Sequence, residues 1–543
     1  MTPRTQLIGL AIGLSTCLSL CGCGASTPAS ATAPQAERPA PATVADSGDA
    51  FDVLPRPIRR ADDLPLRIAA VDDEPASSDD RPDDVRDRTV ADDKPGLIET
   101  LRGTIQGSPV FEESGAQESL LDSLNVAQDE LNRVKRQNRR ALREANRQVR
   151  VGTATRAPHL VLITISDLSS GDVGCYAGHA GTPHLDAFAQ QGMRFTDFYA
   201  ASAETRESRW SLLTGFNVGH APVRSESSDR DRFTVSGVRS SLAEVLWQAG
   251  YATGFVGIWD DRSSPLSCGF DVWSGWPGRT ELEPYAEFMY FDGVRAELTP
   301  NLDGRHEVAT IELLLEEAIA TLDRRSAEGR PIFLHLAVSP KLVAAPASQT
   351  DASMRGAERV AELDSRMGEF LSRLDGTSLA DRCCILIAGE SAAQESSGAF
   401  NGLAGGLKTS PDGLSEGNLR VPLLIRWPER ISAGTVSKHA CAVWDLLPTL
   451  ADLAAARRRP PQLDGLSFAP ELLGQPQREH NLMYWETGSD LAGQAVRKGR
   501  WKAVRAPGES KLALFDLDAD PGEQDDLADA HPDIVEQFIV GRR

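Results

Sequence analysis

From about residue 157 onward, short unbroken apolar runs alternate with stretches whose apolar positions recur at helical spacing. His159–Ile165 reads as a buried strand that stops at Ser166-Asp167. Tyr251–Gly257, Pro331–Val338 and Cys384–Ala388 read as further strands, and residues 182–192, 241–250 and 355–374 as helices. Strands alternating with helices predict an α/β fold with a mostly parallel sheet covered on both faces. In such sheets the chemistry lies beyond the carboxyl ends of the strands. Ser166-Asp167, Trp259-Asp260, Pro340-Lys341 and Glu390-Ser391 all fall there, which predicts one convergent pocket. The boundaries expected are an α/β domain over 157–475 and a small α+β C-terminal subdomain over 476–543. Met483–Glu486 and Trp501–Val504 are strands of the latter.

The first 150 residues are patterned differently. Arg4 precedes an apolar run, Leu7–Leu20, too short to span a bilayer, and the pattern is that of a secretory leader. It ends in Leu20-Cys21-Gly22-Cys23, which resembles a bacterial lipoprotein cleavage box. Residues 1–23 are therefore expected to be a lipoprotein-type signal with Cys23 lipidated; a plain cleaved signal is the alternative. Diacylation plus an acylated amine would hold a soluble domain at a membrane. Gly24 carries no retention signal of the Asp type, so export to the envelope, with the outer membrane favoured, is the expectation. Residues 24–110 are rich in Ala, Pro, Ser and Asp and bury too little apolar surface to order themselves, which predicts a disordered acidic tether. Over 111–150 a helix or short coiled coil is expected. Leu120, Leu124, Ala127, Leu131, Val134, Asn138, Ala141 and Ala145 form a heptad seam within 117–148. Homo-oligomerisation through that seam and packing of a lone helix on the main domain are both open.

Charge narrows the partners. The net charge of −21 repels phosphate backbones at long range, which argues against nucleic acid. Five of the eight cysteines follow the leader, and they show no zinc spacing. Adjacent Cys383 and Cys384 open an apolar run and read as buried strand residues. At most a disulfide or two is expected, with the pairing open.

The stretch Asp167-Leu168-Ser169-Ser170-Gly171-Asp172-Val173-Gly174-Cys175-Tyr176 resembles the opening motif of the sulfatases, in the alkaline phosphatase superfamily. Thr182–Asp186, Phe195–Tyr199, Ser208-Arg209, Leu212–Gly215, Gly219-His220 and Gly269–Asp271 continue the likeness. So do Glu416-Gly417, Arg420–Pro422, Trp444–Thr449, Gln494–Ala503, Leu514–Leu517 and Asp520–Glu523. In unbroken order it covers about residues 157–540 and implies an alkaline-phosphatase-like mixed sheet. It also implies sulfuric ester hydrolysis through a formylglycine made from a Cys or Ser in a Cys/Ser-x-Pro-x-Arg motif.

The matching residues here are Thr205-Arg206-Glu207-Ser208-Arg209. Threonine is not a substrate for that oxidation. A threonine sulfate ester would also lack the second hydroxyl that expels sulfate, so no formylglycine is expected. The resemblance implies that the family's paired metal-binding aspartates correspond to Ser166 and Asp167, and its later Asp-Asn metal pair to Glu390 and Ser391. Their oxygen atoms suit calcium, though with fewer carboxylates than the family uses. The family's Lys-Trp-His becomes Ile258-Trp259-Asp260, and a later family histidine corresponds to Lys341, a candidate substrate contact. None of the nine histidines falls where the family uses one as acid or base. Arg209 and Lys408 match family cations; beside Thr205 they are the candidate catalytic residues. Each can equally serve as a salt-bridge partner of Glu207, Asp260 or Glu390.

Two function classes follow. The first is an envelope binding or scaffold protein with a sulfatase fold and a ligand such as an anionic ester or glycan. The second is a hydrolase of a sulfate or phosphate ester with Thr205 as direct nucleophile beside a metal ion.

Overall fold

Strands buried on both faces must be apolar at successive positions, and the chain meets that demand several times. The main strands are β2 (His159–Ile165), β5 (Ala252–Trp259), β9 (Ile332–Val338) and β10 (Cys383–Gly389), with every residue of each buried. The computed structural model describes Leu66–Arg67 and residues 157–540, apart from 179, 222–232, 236–239, 262, 278–282, 345–351, 393–406 and 488–492. The expected leader with Cys23, the heptad segment, and the tether except for Leu66–Arg67 lie outside the described residues.

Leu66–Arg67 is β1, an edge strand. The other strands of the large sheet are β3 (Met193–Phe195), β6 (Val272–Pro277), β7 (Phe288–Phe291), β8 (Val294–Leu298), β11 (Leu423–Arg426) and β12 (Thr435–Ser437). Eleven strands run in the order β1-β8-β7-β6-β5-β9-β2-β10-β11-β3-β12. The block β6-β5-β9-β2-β10 is parallel throughout, and antiparallel pairings enter on both sides of it. The sheet is thus mixed: β1-β8-β7-β6 pair antiparallel on one side of the parallel block, and β10-β11-β3 pair antiparallel on the other, where β12 joins β3 in parallel. A two-residue pair, β4 (Phe198–Tyr199) with β13 (Cys441–Ala442), stands apart.

Alternation along β2 divides the core in two. Leu160 and Leu162 join one cluster, whereas Val161, Ile163 and Ile165 join the other. The first cluster takes in helices α2 (Thr205–Thr214), α3 (Leu242–Gln248) and α6 (Leu446–Leu453). The second takes in α1 (Pro183–Gln190), α4 (Thr310–Ser326) and α5 (Ala352–Asp375). Helices therefore cover both faces, as the alternating pattern requires. Close approach of β5 to β9 depends on Gly257, whose φ is +135° and whose missing Cβ would lie 2.1 Å from the Ala337 carbonyl oxygen. This contact sets the spacing of the strand ends that carry Asp260 and Ser339.

The C-terminal strands β14 (Met483–Thr487), β15 (Gly493–Lys498), β16 (Trp501–Arg505) and β17 (Ala513–Asp516) form an antiparallel sheet, followed by α7 (Pro532–Val540). Trp485 of β14 packs against Tyr199 and Trp444, so this sheet shares the main core. A buried charge network crosses the same boundary. Lys502 Nζ lies 2.9 Å from Glu416 Oε1 and 2.8 Å from Glu523 Oε1, and Tyr199 donates to Glu416 Oε2 at 2.8 Å. All five described cysteines are free thiols; Cys383 and Cys384 sit buried in β10.

One pH prediction arises from β2. The Ile332 N–H donates to Nδ1 of buried His159 at 3.2 Å, a bond that requires that nitrogen to be unprotonated. Burial, with help from Arg382, pulls His159 down to about 4. His335, fully buried beside Thr164, is pushed well below its ordinary value by burial and then by Arg209. A lowered folded value means the unfolded chain binds a proton that the native chain refuses. The stability from neutral His159 is therefore present above pH about 6.5 and lost as pH falls through about 4, and His335 shifts in the same direction. His159 should contribute a slope of up to about 1.4 kcal/mol per pH unit in that window. Urea unfolding between pH 7 and 4 should show the decline, and His159→Gln should flatten it. An identical slope in the variant would refute the assignment.

Candidate active site at the carboxyl ends of the parallel strands

Four neighbouring parallel strands, β5-β9-β2-β10, deliver their carboxyl ends to one edge of the sheet. Asp260 follows β5, Ser339-Pro340-Lys341 follows β9, Ser166-Asp167 follows β2 and Glu390-Ser391 follows β10. The predicted convergence is therefore present, and α2 supplies its cover. Thr205 is the first residue of α2 and Arg209 lies one turn on, so both side chains fall on the same helix face.

Asp167 turns the chain immediately after β2 with φ of +57°, in the left-handed region that aspartate tolerates better than most residues. Its N–H donates to Ser391 Oγ at 3.2 Å, and Leu168 N–H donates to the Ser391 carbonyl at 2.9 Å. Ser391 Oγ and Thr205 Oγ1 share a hydrogen bond of 2.9 Å. The threonine hydroxyl is thus tied to the end of β10. Ser166 Oγ donates back to the Val338 carbonyl at 3.4 Å.

Glu390 is fully buried and takes the Arg209 guanidinium as a fork: Nε to Oε1 at 2.7 Å and Nη2 to Oε2 at 2.5 Å. Arg209 Nη1 donates to the Ile258 carbonyl and lies 3.6 Å from Asp260 Oδ2. Burial pushes Glu390 above its ordinary value against the pull of Arg209. For Arg209 burial works against the charge, but Glu390 and then Asp260 win and hold the guanidinium protonated. Asp167 is paired too. Lys341 Nζ sits 2.9 Å from Asp167 Oδ2, and Ser339 Oγ donates to the same oxygen at 3.2 Å. The Ser339 hydroxyl also accepts the Lys341 N–H, fixing the short turn that carries the lysine.

Arg209 pairs with Glu390 and Asp260, and Lys341 pairs with Asp167. Lys408 is not brought into this cluster. Its ammonium donates to the Glu523 carbonyl at 3.3 Å and lies 5.4 Å from the centre of the Phe515 ring. Beside the cluster a small cleft is lined by Arg206, Arg209, Trp210, Phe233, Trp259 and Asp260.

Calcium was expected on Ser166, Asp167, Glu390 and Ser391. In this arrangement the donor set does not fit a divalent cation. Both oxygens of Glu390 already accept from a guanidinium, and one oxygen of Asp167 holds an ammonium. A dication there would stand beside the buried Arg209 guanidinium, whose repulsion offsets part of the attraction of the carboxylates. Among the described residues no three acidic, histidine or cysteine side chains group so as to hold a metal ion.

Three participants escaped the sequence reading. Ser339 and the Ile258 carbonyl act through geometry that no residue pattern announces. His335 did leave a signal, as the one ionisable residue inside the apolar run Ile332–Val338. It is held by Thr164 at 3.0 Å, and Arg209 acts on it electrostatically.

A mixed sheet with a parallel centre, helices on both faces and polar strand ends meeting a helix N-terminus defines an α/β protein with its polar cluster at the carboxyl edge of the sheet. The comparisons narrow this. Residues 158–340 match the Sulfatase family model, and residues 414–538 match that of N-sulphoglucosamine sulphohydrolase, C-terminal. Arylsulfatase G of Canis lupus familiaris is 30% identical over 448 residues, covering 70% of this chain and 82% of that protein. N-acetylgalactosamine-6-sulfatase of the same species is 29% identical over 385 residues, covering 64% and 72%. The chain belongs to the sulfatase family. Solved structures share the fold. Ps i-CgsB in complex with k-i-k-neocarrahexaose superposes with a TM-score of 0.60 at 22% identity, covering 71% of this chain and 92% of that one. PsFucS1 sulfatase from Pseudoalteromonas sp. gives a TM-score of 0.55 at 19% identity, covering 72% and 89%.

Proposed function

We propose that this sulfatase-family chain performs no formylglycine-dependent sulfate hydrolysis and serves as a binding or scaffold protein at the bacterial envelope, anchored through Cys23. One observation carries the reading. At the start of α2, where the family motif would place the oxidised residue, stands Thr205, its hydroxyl hydrogen-bonded to Ser391. A threonine side chain offers one hydroxyl and no geminal partner, so a sulfate ester formed on it would have no internal route to release. The ligand class we favour is an anionic ester or glycan, in keeping with the sulfated-sugar enzyme and the oligosaccharide complex among its relatives. Arg206 and Arg209 bring positive charge to the lining of the cleft.

The full-length protein should release no product from aryl sulfates or from phosphate mono- and diesters beyond a Thr205→Ala control, with or without calcium. Turnover that vanishes in Thr205→Ala would establish the threonine as a nucleophile and overturn this reading.

A further inference from the structure

We infer that Arg209 and Lys341 are the resident counter-ions of the Asp167–Glu390 pocket and that the folded protein binds no divalent cation there. The placement of donors supports this. Nε and Nη2 of Arg209 go to the two oxygens of Glu390, and Nη1 goes to a backbone carbonyl on β5. The guanidinium is therefore fixed from two strands at once, with Asp260 on a third side. Arg209 and Glu390 are 4% and 0% exposed, so neither has bulk water to retreat into. An ion entering between the carboxylates would have to displace the fork and leave a buried guanidinium without its partner. Lys341 is held less deeply, with its side chain 34% exposed, yet the Ser339 hydroxyl braces both the turn that carries it and the carboxylate it meets. Ser391, the remaining oxygen donor at the end of β10, already bonds Thr205 and the Asp167 N–H. Two side-chain cations thus do permanently what a bound dication would do reversibly, which is to neutralise carboxylates gathered at parallel strand ends.

This inference concerns cation occupancy and not turnover, so it stands or falls separately from the functional reading above. An inactive protein could hold calcium, and a metal-free one could cleave an ester.

The full-length protein should unfold at the same temperature in calcium chloride, magnesium chloride and EDTA. Terbium luminescence sensitised by tryptophan, with Trp259 at the cleft, should be the same in wild type and in Glu390→Gln. The Arg209→Met/Lys341→Met chain, freed of both cations, should gain a calcium-dependent rise of several degrees in its unfolding temperature. A saturable terbium signal in the wild type that Glu390→Gln abolishes would overturn the inference. A signal common to both lies outside this pocket and upholds it. Should the double variant fail to fold in any buffer, the wild-type comparison with Glu390→Gln decides alone.

Discussion

Lys502→Met is expected to destabilise the full-length protein by about 3–5 kcal/mol, the range for removing one partner from a buried ion pair. The lysine is fully buried on β16 and lies between Glu416 and Glu523, so its loss leaves two carboxylates facing an apolar methyl group. Glu416 retains Tyr199 and Arg420, whereas Glu523 loses the cation the structure gives it. The effect should also appear in the pH profile. Burial pushes Glu416 up, but Lys502, Arg420 and Arg497 outweigh burial and hold its carboxyl at about 2. A depressed carboxylate contributes stability above its unfolded value of about 4.3, and that stability is lost as pH falls toward 2. Removing Lys502 raises the folded value, so the acid limb of the stability curve should move to higher pH. Urea unfolding at several pH values measures both effects. A loss under about 1 kcal/mol with an unmoved acid limb would mean that Lys502 only fills space.

Arg209→Met should be comparably damaging at neutral pH, about 3–5 kcal/mol, because it strips the guanidinium fork from a fully buried glutamate. Glu390 already lies above its ordinary value through burial. Without Arg209 it rises further and takes up a proton on folding. A carboxyl raised in the folded state is favourable below its unfolded value, and that advantage is lost as pH rises through the folded value. The defect should therefore be smallest near pH 5 and grow toward pH 8. Adding Glu390→Gln to Arg209→Met should recover most of the loss, since it removes the uncompensated charge. A double-mutant cycle in which the two losses simply add would show that the pair is not coupled as the structure implies.

Much of this architecture was legible in the residues. His159–Ile165 is a strand over the predicted span; the strand predicted at 331–338 begins one residue later, and that predicted at 384–388 extends one residue further at each end. Both are buried central strands, apolar at nearly every position, so the signal is little diluted. Tyr251–Gly257 was read short. The strand runs on to Trp259 because Ile258 and Trp259 pair with Trp276 and Pro277 of β6, the next strand in the chain. The marginal strands β7 and β8 gave no comparable signal. β7 is only four residues long, and β8 mixes polar with apolar residues, Val294-Arg295-Ala296-Glu297-Leu298.

The site divides along the same line. Local order gave Thr205 and Arg209 as neighbours on one helix face, and gave Asp167, Asp260, Lys341 and Glu390 as residues following strands, because both depend only on short-range periodicity. The sequence by itself therefore determined the family, the parallel centre of the sheet, and which polar groups would gather at its carboxyl edge. Which cation meets which carboxylate was decided only in three dimensions. Arg209 could have met Glu207, Asp260 or Glu390, and it is the buried, doubly hydrogen-bonded seat on Glu390, with a carbonyl of β5 behind it, that selects among them. Lys408, equally basic in sequence, ends beside Glu523 and Phe515. Charge pairing over such separations is set by strand order and burial, and neither is written in the spacing of residues along the chain.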